Sequence, residues 1–284
     1  MTLRRVPFSY AQRASMHWNE AAPEFSQIVN AASLAMPYLE PYLIATMRKA
    51  RSRITDTALA AELDLYCGQK AAHYRQHRIF NDTLKQHAYD AIASIETQLA
   101  ADYARLGDEK SLAFNLAYAE GFESMALAIG HMLIEDREYF FRGSDSSVAS
   151  LVLWHFVEEI EHKNVAFDVF EHVVGGYFWR IYGLLYATGH IFWRTRSAYQ
   201  TLLKEDGLWW NLGSRLKLAG LLAHIFARLI PKMLRIFSPR YHPSNIADPA
   251  WALAWGPLFA TDAAGAARLD TERLAAADPT PFSA

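Results

Sequence analysis

The sequence predicts an all-α fold, a four-helix bundle with further helices at its C-terminal end, and three observations carry that reading. Apolar residues recur at helical spacing in one run after another. The stretch 154–163 sits in a helix-forming run without Gly or Pro, so Glu159 and His162, three residues apart, project from one helical face. A Glu-plus-His echo links the second and fifth predicted helices, as a pseudo-symmetric bundle would, and no repeat of solenoid period accompanies it. Helical bundles use Glu-x-x-His to turn one carboxylate and one imidazole toward a metal pair.

Composition sets the limits. The chain has 284 residues, room for one or two domains, and 52% hydrophobic residues, ample for a large core. A formal net charge of −2 gives no global nucleic-acid signature. Cys67 is the only cysteine, so no intramolecular disulfide forms and a cytoplasmic location is expected. The N-terminal residues lack the apolar core of a secretory signal.

Residues 1–23 read as an irregular arm packed by Phe8, Tyr10 and Trp18. Over 24–50 apolar residues recur at helical spacing, with Pro37 and Pro41 expected to bend the helix, and Glu40 lies in its most apolar part. Asp56 caps a second helix over 57–81, on which His73 and His77 stand one turn apart and share a face with Tyr66, Gln69 and Lys70. A third helix is expected over 83–104, with Asp82 as its cap. In the fourth, 111–134, Glu120, Glu123, Leu127 and His131 fall near one stripe, with Glu120 among apolar neighbours. After a charged connection, Ser146 or Ser147 caps a fifth helix over 148–173 that carries Glu159 and His162.

Several separated motifs then coincide. Pro37-Tyr38-Leu39-Glu40, Gly68-Gln69-Lys70-Ala71-Ala72-His73 followed by His77, Ala119-Glu120-Gly121-Phe122, Trp154-His155 with Glu158-Glu159-Ile160-Glu161-His162-Lys163, and Tyr241-His242-Pro243 together resemble the bacterial family of predicted metal-dependent hydrolases over about 30–245. That family looks related to the ferritin-like di-metal carboxylate bundles. The resemblance implies a ferritin-like bundle and a metal site of Glu40, His73, Glu120, Glu159 and His162, with His77 and His155 as further ligands or supporting partners. Carboxylates and imidazoles suit iron, manganese or zinc, one or two per chain, while the absence of a thiolate set argues against a structural zinc cluster.

One position departs from the family pattern. Lys70 stands where the family has a glutamate that commonly bridges two metals, and an ammonium has no lone pair to replace it. Three outcomes follow. Lys70 occupies one metal's place and pairs with Glu159 or Glu120, it serves as a deprotonated base, ligand or nucleophile of lowered pKa, or the site has lost its metal and survives as a salt-bridge network.

The C-terminal half differs in character. From 172 to 247 the only acids are Glu205 and Asp206, against ten Lys and Arg residues, and aromatics are frequent. Two helices are expected, 176–203 and 208–237, the second bent at Pro231. This basic aromatic part, 174–237, belongs to the helical domain of 24–247, followed by a partly ordered tail of 248–284. Neither helix has an uncharged run long enough to span a bilayer. Such a pair covers the bundle, rests on an anionic membrane surface, or lines an apolar channel with a cationic mouth.

The leading expectation is therefore a metal-dependent enzyme acting on a hydrophobic, anionic-headed small molecule, with peripheral membrane contact and oligomerisation open and no nucleic-acid partner. Hydrolysis would use a free acid such as Glu158 or Glu120 as general base, and oxidation would use redox-active iron or manganese. The alternative from another class is a non-catalytic lipid- or partner-binding protein with a degenerate metal site.

Overall fold

A computed structural model describes residues 1–10, 15–87 and 89–282. All regular elements among them are helices, and the sole β feature is the isolated bridge between Leu269 and Pro281. Residues 11–14 of the expected arm lie outside the described set.

The helices are α1 (Pro23–Ala50), α2 (Thr57–Leu84), α3 (Ala91–Glu109), α4 (Leu112–Glu135), α5 (Arg137–Phe141), α6 (Ser146–Glu161), α7 (Val165–Val173), α8 (Tyr177–Glu205), α9 (Leu212–Ile236), α10 (Ala250–Thr261) and α11 (Ala263–Ala266). Local chemistry sets many of their ends. Asp56 Oδ1 accepts from the N–H groups of Ala58 and Leu59, and Ser111 Oγ accepts from Phe114 N–H. The cap of α6 is Asp145, one residue before the expected serines, accepting from Ser147 and Val148 N–H. Asp82 caps nothing, because α2 continues to Leu84 and α3 starts only at Ala91.

The expected helix over 148–173 is broken at His162. There the chain turns through the three-residue bond Val165 N→His162 O at 3.0 Å before α7 resumes. Pro37 and Pro41 both lie inside a continuous α1. The segment after Ala247 is more ordered than expected, since α10 buries Trp251 and Trp255 and packs against α6.

α1, α2, α4 and α6 enclose the centre, α3 lies on α1, and the long α8 crosses α4 and α1. α4 is buried almost all round, because α1, α6 and α7 cover some of its faces and α8 and α9 cover others. Gly121 and Gly183 allow the close crossing of α4 with α8. A Cβ on Gly121 would overlap the Gly183–Leu184 backbone, and one on Gly183 would overlap the Ala117 carbonyl. α9 runs back along α8, held by ion pairs to the end of α4: Lys232 to Glu135 at 2.6 Å, and Arg228 to Asp136 at 2.7 Å. No helix of the described residues is long and apolar enough to cross a membrane.

Candidate metal centre

Four helices each contribute ionisable side chains to the bundle centre: Glu40 from α1, Lys70, His73 and His77 from α2, Glu123 from α4, and His155, Glu158 and Glu159 from α6, with His162 at its end. All are buried, and Glu40, Lys70, His73 and Glu158 have no exposed surface. Two groups of potential metal ligands emerge, sharing Glu159. In each, one donor atom per residue lies within 4.8 Å of every other: Glu40, His73, His155 and Glu159 in the first, and Glu123, Glu159 and His162 in the second.

Proton positions decide whether the first group fits a divalent cation. Pro37 has no N–H, so it cannot bond the Ser33 carbonyl one turn back, and Asn81 Nδ2 donates to that carbonyl at 3.0 Å. Asn81 Oδ1 is thereby turned to Ser33 Oγ, which donates to it at 2.6 Å. Having spent its proton, Ser33 Oγ accepts from His77 Nδ1 at 2.8 Å. Burial, with the neighbouring imidazoles of His155 and His73, holds the His77 pKa well below the ordinary imidazole range, so His77 is neutral and its Nε2 is bare. That Nε2 accepts from His155 Nδ1 at 2.9 Å. His155 is neutral too, its pKa pushed down to about 3 by burial and by His73.

The consequence falls on the last atom of this relay. His155 Nε2 carries a lone pair and points at Glu159 Oε1, 3.2 Å away, and at Glu40 Oε1, 4.0 Å away. Acceptors facing acceptors in a dry interior call for a proton or a metal cation between them. Glu40 Oε2, buried without a hydrogen-bond partner, adds a further unsatisfied acceptor. His73 is fixed from its other side, with Nε2 3.1 Å from Glu158 Oε2, which turns Nδ1 to Glu40 Oε1 at 3.3 Å and Glu159 Oε1 at 3.4 Å. Burial works to lower the His73 pKa, but hydrogen bonds to Glu158, Glu159 and Glu40 outweigh it and hold the pKa well above the usual range. A metal on Nδ1 replaces the proton that otherwise sits there, and an imidazole backed by a carboxylate is a familiar metal ligand. The residues present therefore fit a divalent ion.

The Lys70 ammonium lies between the two groups, nearest to Glu159 and Glu123. Lys70 Nζ lies 2.6 Å from Glu159 Oε1, 2.9 Å from Glu123 Oε1 and 3.8 Å from Glu40 Oε1. Burial alone would lower its pKa, but Glu123, Glu159 and Glu40 reverse that and raise it. Tyr66 donates to Glu123 Oε1 at 2.7 Å. His162 is oriented by Gln69, whose amide nitrogen donates to Thr2 O and to Glu161 Oε2, both at 3.1 Å. The amide oxygen is left to accept from His162 Nδ1 at 3.0 Å. His162 Nε2 then faces Glu159 Oε2 at 3.1 Å and Glu123 Oε2 at 3.5 Å. The N-terminal arm closes this side: Arg4 grips Glu161 through both Nη atoms, at 2.6 and 2.8 Å, and reaches Glu158 at 3.4 Å, while Leu3 packs on Gly68.

Of the sequence-predicted ligands, Glu40, His73, Glu159, His162 and His155 meet at the centre, and His77 stands behind His155. Glu120 is not brought there. It accepts from Ser124 Oγ at 2.8 Å on another side of α4, in the field of Arg180, and Glu123 occupies the place expected of it. The pairing expected for Lys70 is accordingly with Glu159 and Glu123. The carboxylates around it raise its pKa, which favours the ammonium over a deprotonated base or nucleophile. Glu158 is not a free acid, being engaged by His73 and Arg4. Arg4, Ser33 and Asn81 were not singled out by the sequence. The proline four residues after Ser33 is the signal for two of them, since it frees a carbonyl that some side chain must satisfy.

An all-α bundle with a buried cluster of imidazoles and carboxylates able to hold a metal ion defines the class of this protein. Its sequence matches the profile of the family described as predicted metal-dependent hydrolase over residues 2–247, and the chain belongs to that family. No curated protein and no solved structure matches it significantly.

Proposed function

We propose that this protein is a hydrolase with one divalent metal per chain, held by Glu40, His73, His155 and Glu159, in which the Lys70 ammonium stands in place of a second cation. The observation that carries this is His155 Nε2, left bare by its hydrogen-bond relay and aimed at two carboxylates, beside a group in which the Lys70 ammonium already pairs with Glu159 and Glu123. Four helices converging on such a cluster also support kinship with ferritin-like bundles.

When bound, the ion, whether zinc, manganese or iron, would supply Lewis acidity, polarising a scissile carbonyl or phosphoryl group and lowering the pKa of a water. The protein's own groups do the rest. Glu158 holds His73 in one orientation, and Asn81, Ser33 and His77 hold His155 in one tautomer. Lys70 keeps Glu159 and Glu123 ionised. Glu40 Oε2, without a hydrogen-bond partner among the described residues, is placed to accept a proton from water. Trp154 against His73, with Tyr66 and Phe122 around Lys70, makes an apolar surround that favours a hydrophobic substrate, and the ammonium suits an acyl or phosphoryl group.

A second reading, an iron-dependent oxidase or oxygenase, has the ligand set in its favour, because two imidazoles with carboxylates suit redox-active iron. The deciding experiment assays the metal-reconstituted chain on medium-chain esters, thioesters and phosphoesters, beside anaerobic iron(II) titration followed by oxygen. Metal-dependent hydrolysis that His155→Ala abolishes is the expected result. No hydrolysis, with oxygen-dependent absorbance changes in the iron form, would replace the proposal with the oxidative reading.

A further inference from the structure

α9 is apolar on two opposite faces. Leu218, Leu221, Leu229 and Ile236 turn inward and are buried. About half a turn away, Leu212, Leu216, Ala223, Ile230 and Leu234 form an outward stripe along the whole helix, with Leu216 67% and Leu234 63% exposed. A helix apolar all round is normally enclosed, so an exposed second face calls for another partner. The antiparallel neighbour α8 repeats the pattern. Phe178, Tyr182, Leu185 and Trp193 follow one another at helical spacing on its outer side, with Phe178 85% exposed. Phe192 and Phe226 stack between the two helices, rings 6.1 Å apart, joining the hairpin.

The charges beside these stripes identify the occupant. Residues 207–247 contain six Lys and Arg and no acid. Arg228 and Lys232 are paired with acids at the end of α4, and Arg215 stacks on Trp209 at 3.7 Å. Lys217, Arg235 and Arg240 are exposed and form no ion pair among the described residues, and Lys217 and Arg235 share one side of α9, each about 100° round the helix from the stripe leucine that precedes it. A second copy of this chain would bring like charges together without an acid to meet them. An anionic bilayer meets both requirements, since apolar side chains and Trp193 enter the interface while the cations face headgroups.

We infer that the outer face of the α8–α9 hairpin docks on the surface of an anionic lipid bilayer, without spanning it. The test is cosedimentation of the full chain with vesicles of phosphatidylcholine alone and of phosphatidylcholine mixed with phosphatidylglycerol. The expected result is pelleting with the anionic vesicles only, weakened by salt. Leu216→Asp with Ile230→Asp should abolish it with little change in the melting temperature, because both residues are at least half exposed. Lys217→Gln with Arg235→Gln should weaken binding roughly 30-fold, each cation near an anionic surface contributing about 1 kcal/mol. Equal pelleting with both vesicle types, or pelleting that survives Leu216→Asp with Ile230→Asp, overturns the inference. So does a dimer in size-exclusion chromatography that this variant dissolves while the wild-type chain ignores vesicles.

Discussion

A lysine with no solvent exposure keeps its charge only among acids, and Lys70 has Glu159, Glu123 and Glu40 around Nζ. The five carboxylates of the centre, counting Glu158 and Glu161, face two permanent cations, Lys70 and Arg4. A divalent ion with two neutral imidazoles removes as much of the remaining imbalance as protonating both His73 and His162 would, so metal and protons compete for the site. Glu120 is the informative contrast. Removed from the cluster and buried with Oε2 unpartnered, it has its pKa raised to about 7 from an ordinary 4.5, chiefly by burial. Below about pH 4.5 the group is protonated folded or unfolded and imposes no penalty. As pH rises toward 7 the unfolded chain ionises first, and stability falls by about 3 kcal/mol in total. Glu120→Gln keeps an acceptor for Ser124 and should therefore raise stability by up to about that amount at pH 8, and little at pH 4, with metal content unchanged. Urea unfolding at the two pH values, with metal analysis, checks this; lost metal would return Glu120 to the ligand set.

At the scale of elements, the proline in α1 matters for chemistry more than for shape. Because Pro37 leaves the Ser33 carbonyl unbonded, α1 and α2 are tied by Asn81, and the tie continues through Ser33 and His77 to His155. Asn81→Ala cuts this relay at a residue two hydrogen-bonded groups removed from the nearest ligand. Loss of such supporting bonds typically weakens metal binding by roughly 10–100-fold, and that loss is expected here. Competition with a fluorescent chelator measures it, and unchanged affinity would show that the tautomer of His155 is set in another way. The break of α6 at His162 belongs to the same scale. No Gly or Pro announces it, and the sequence reads through it as one helix.

Over the whole molecule, the helical periodicity and the separated Glu and His motifs made the fold class and most of the central residues legible. Phase on α4 was not legible. That helix is covered by neighbours on nearly every side, so no solvated face tells Glu120 from Glu123. The contacts of Arg4 were hidden because an extended arm has no period, and its partners lie more than 150 residues away. Lys70 was visible as a departure, and only the packed bundle shows which acids surround it. Metal analysis of the wild-type chain and of Lys70→Glu, each saturated with manganese or zinc and freed of excess, decides whether the ammonium stands in for a second ion. The expected result is about one ion per wild-type chain and about two per Lys70→Glu chain, since the substitution removes the resident ammonium and adds a bridging carboxylate. Two ions in the wild-type chain, or none in either protein, would contradict the account.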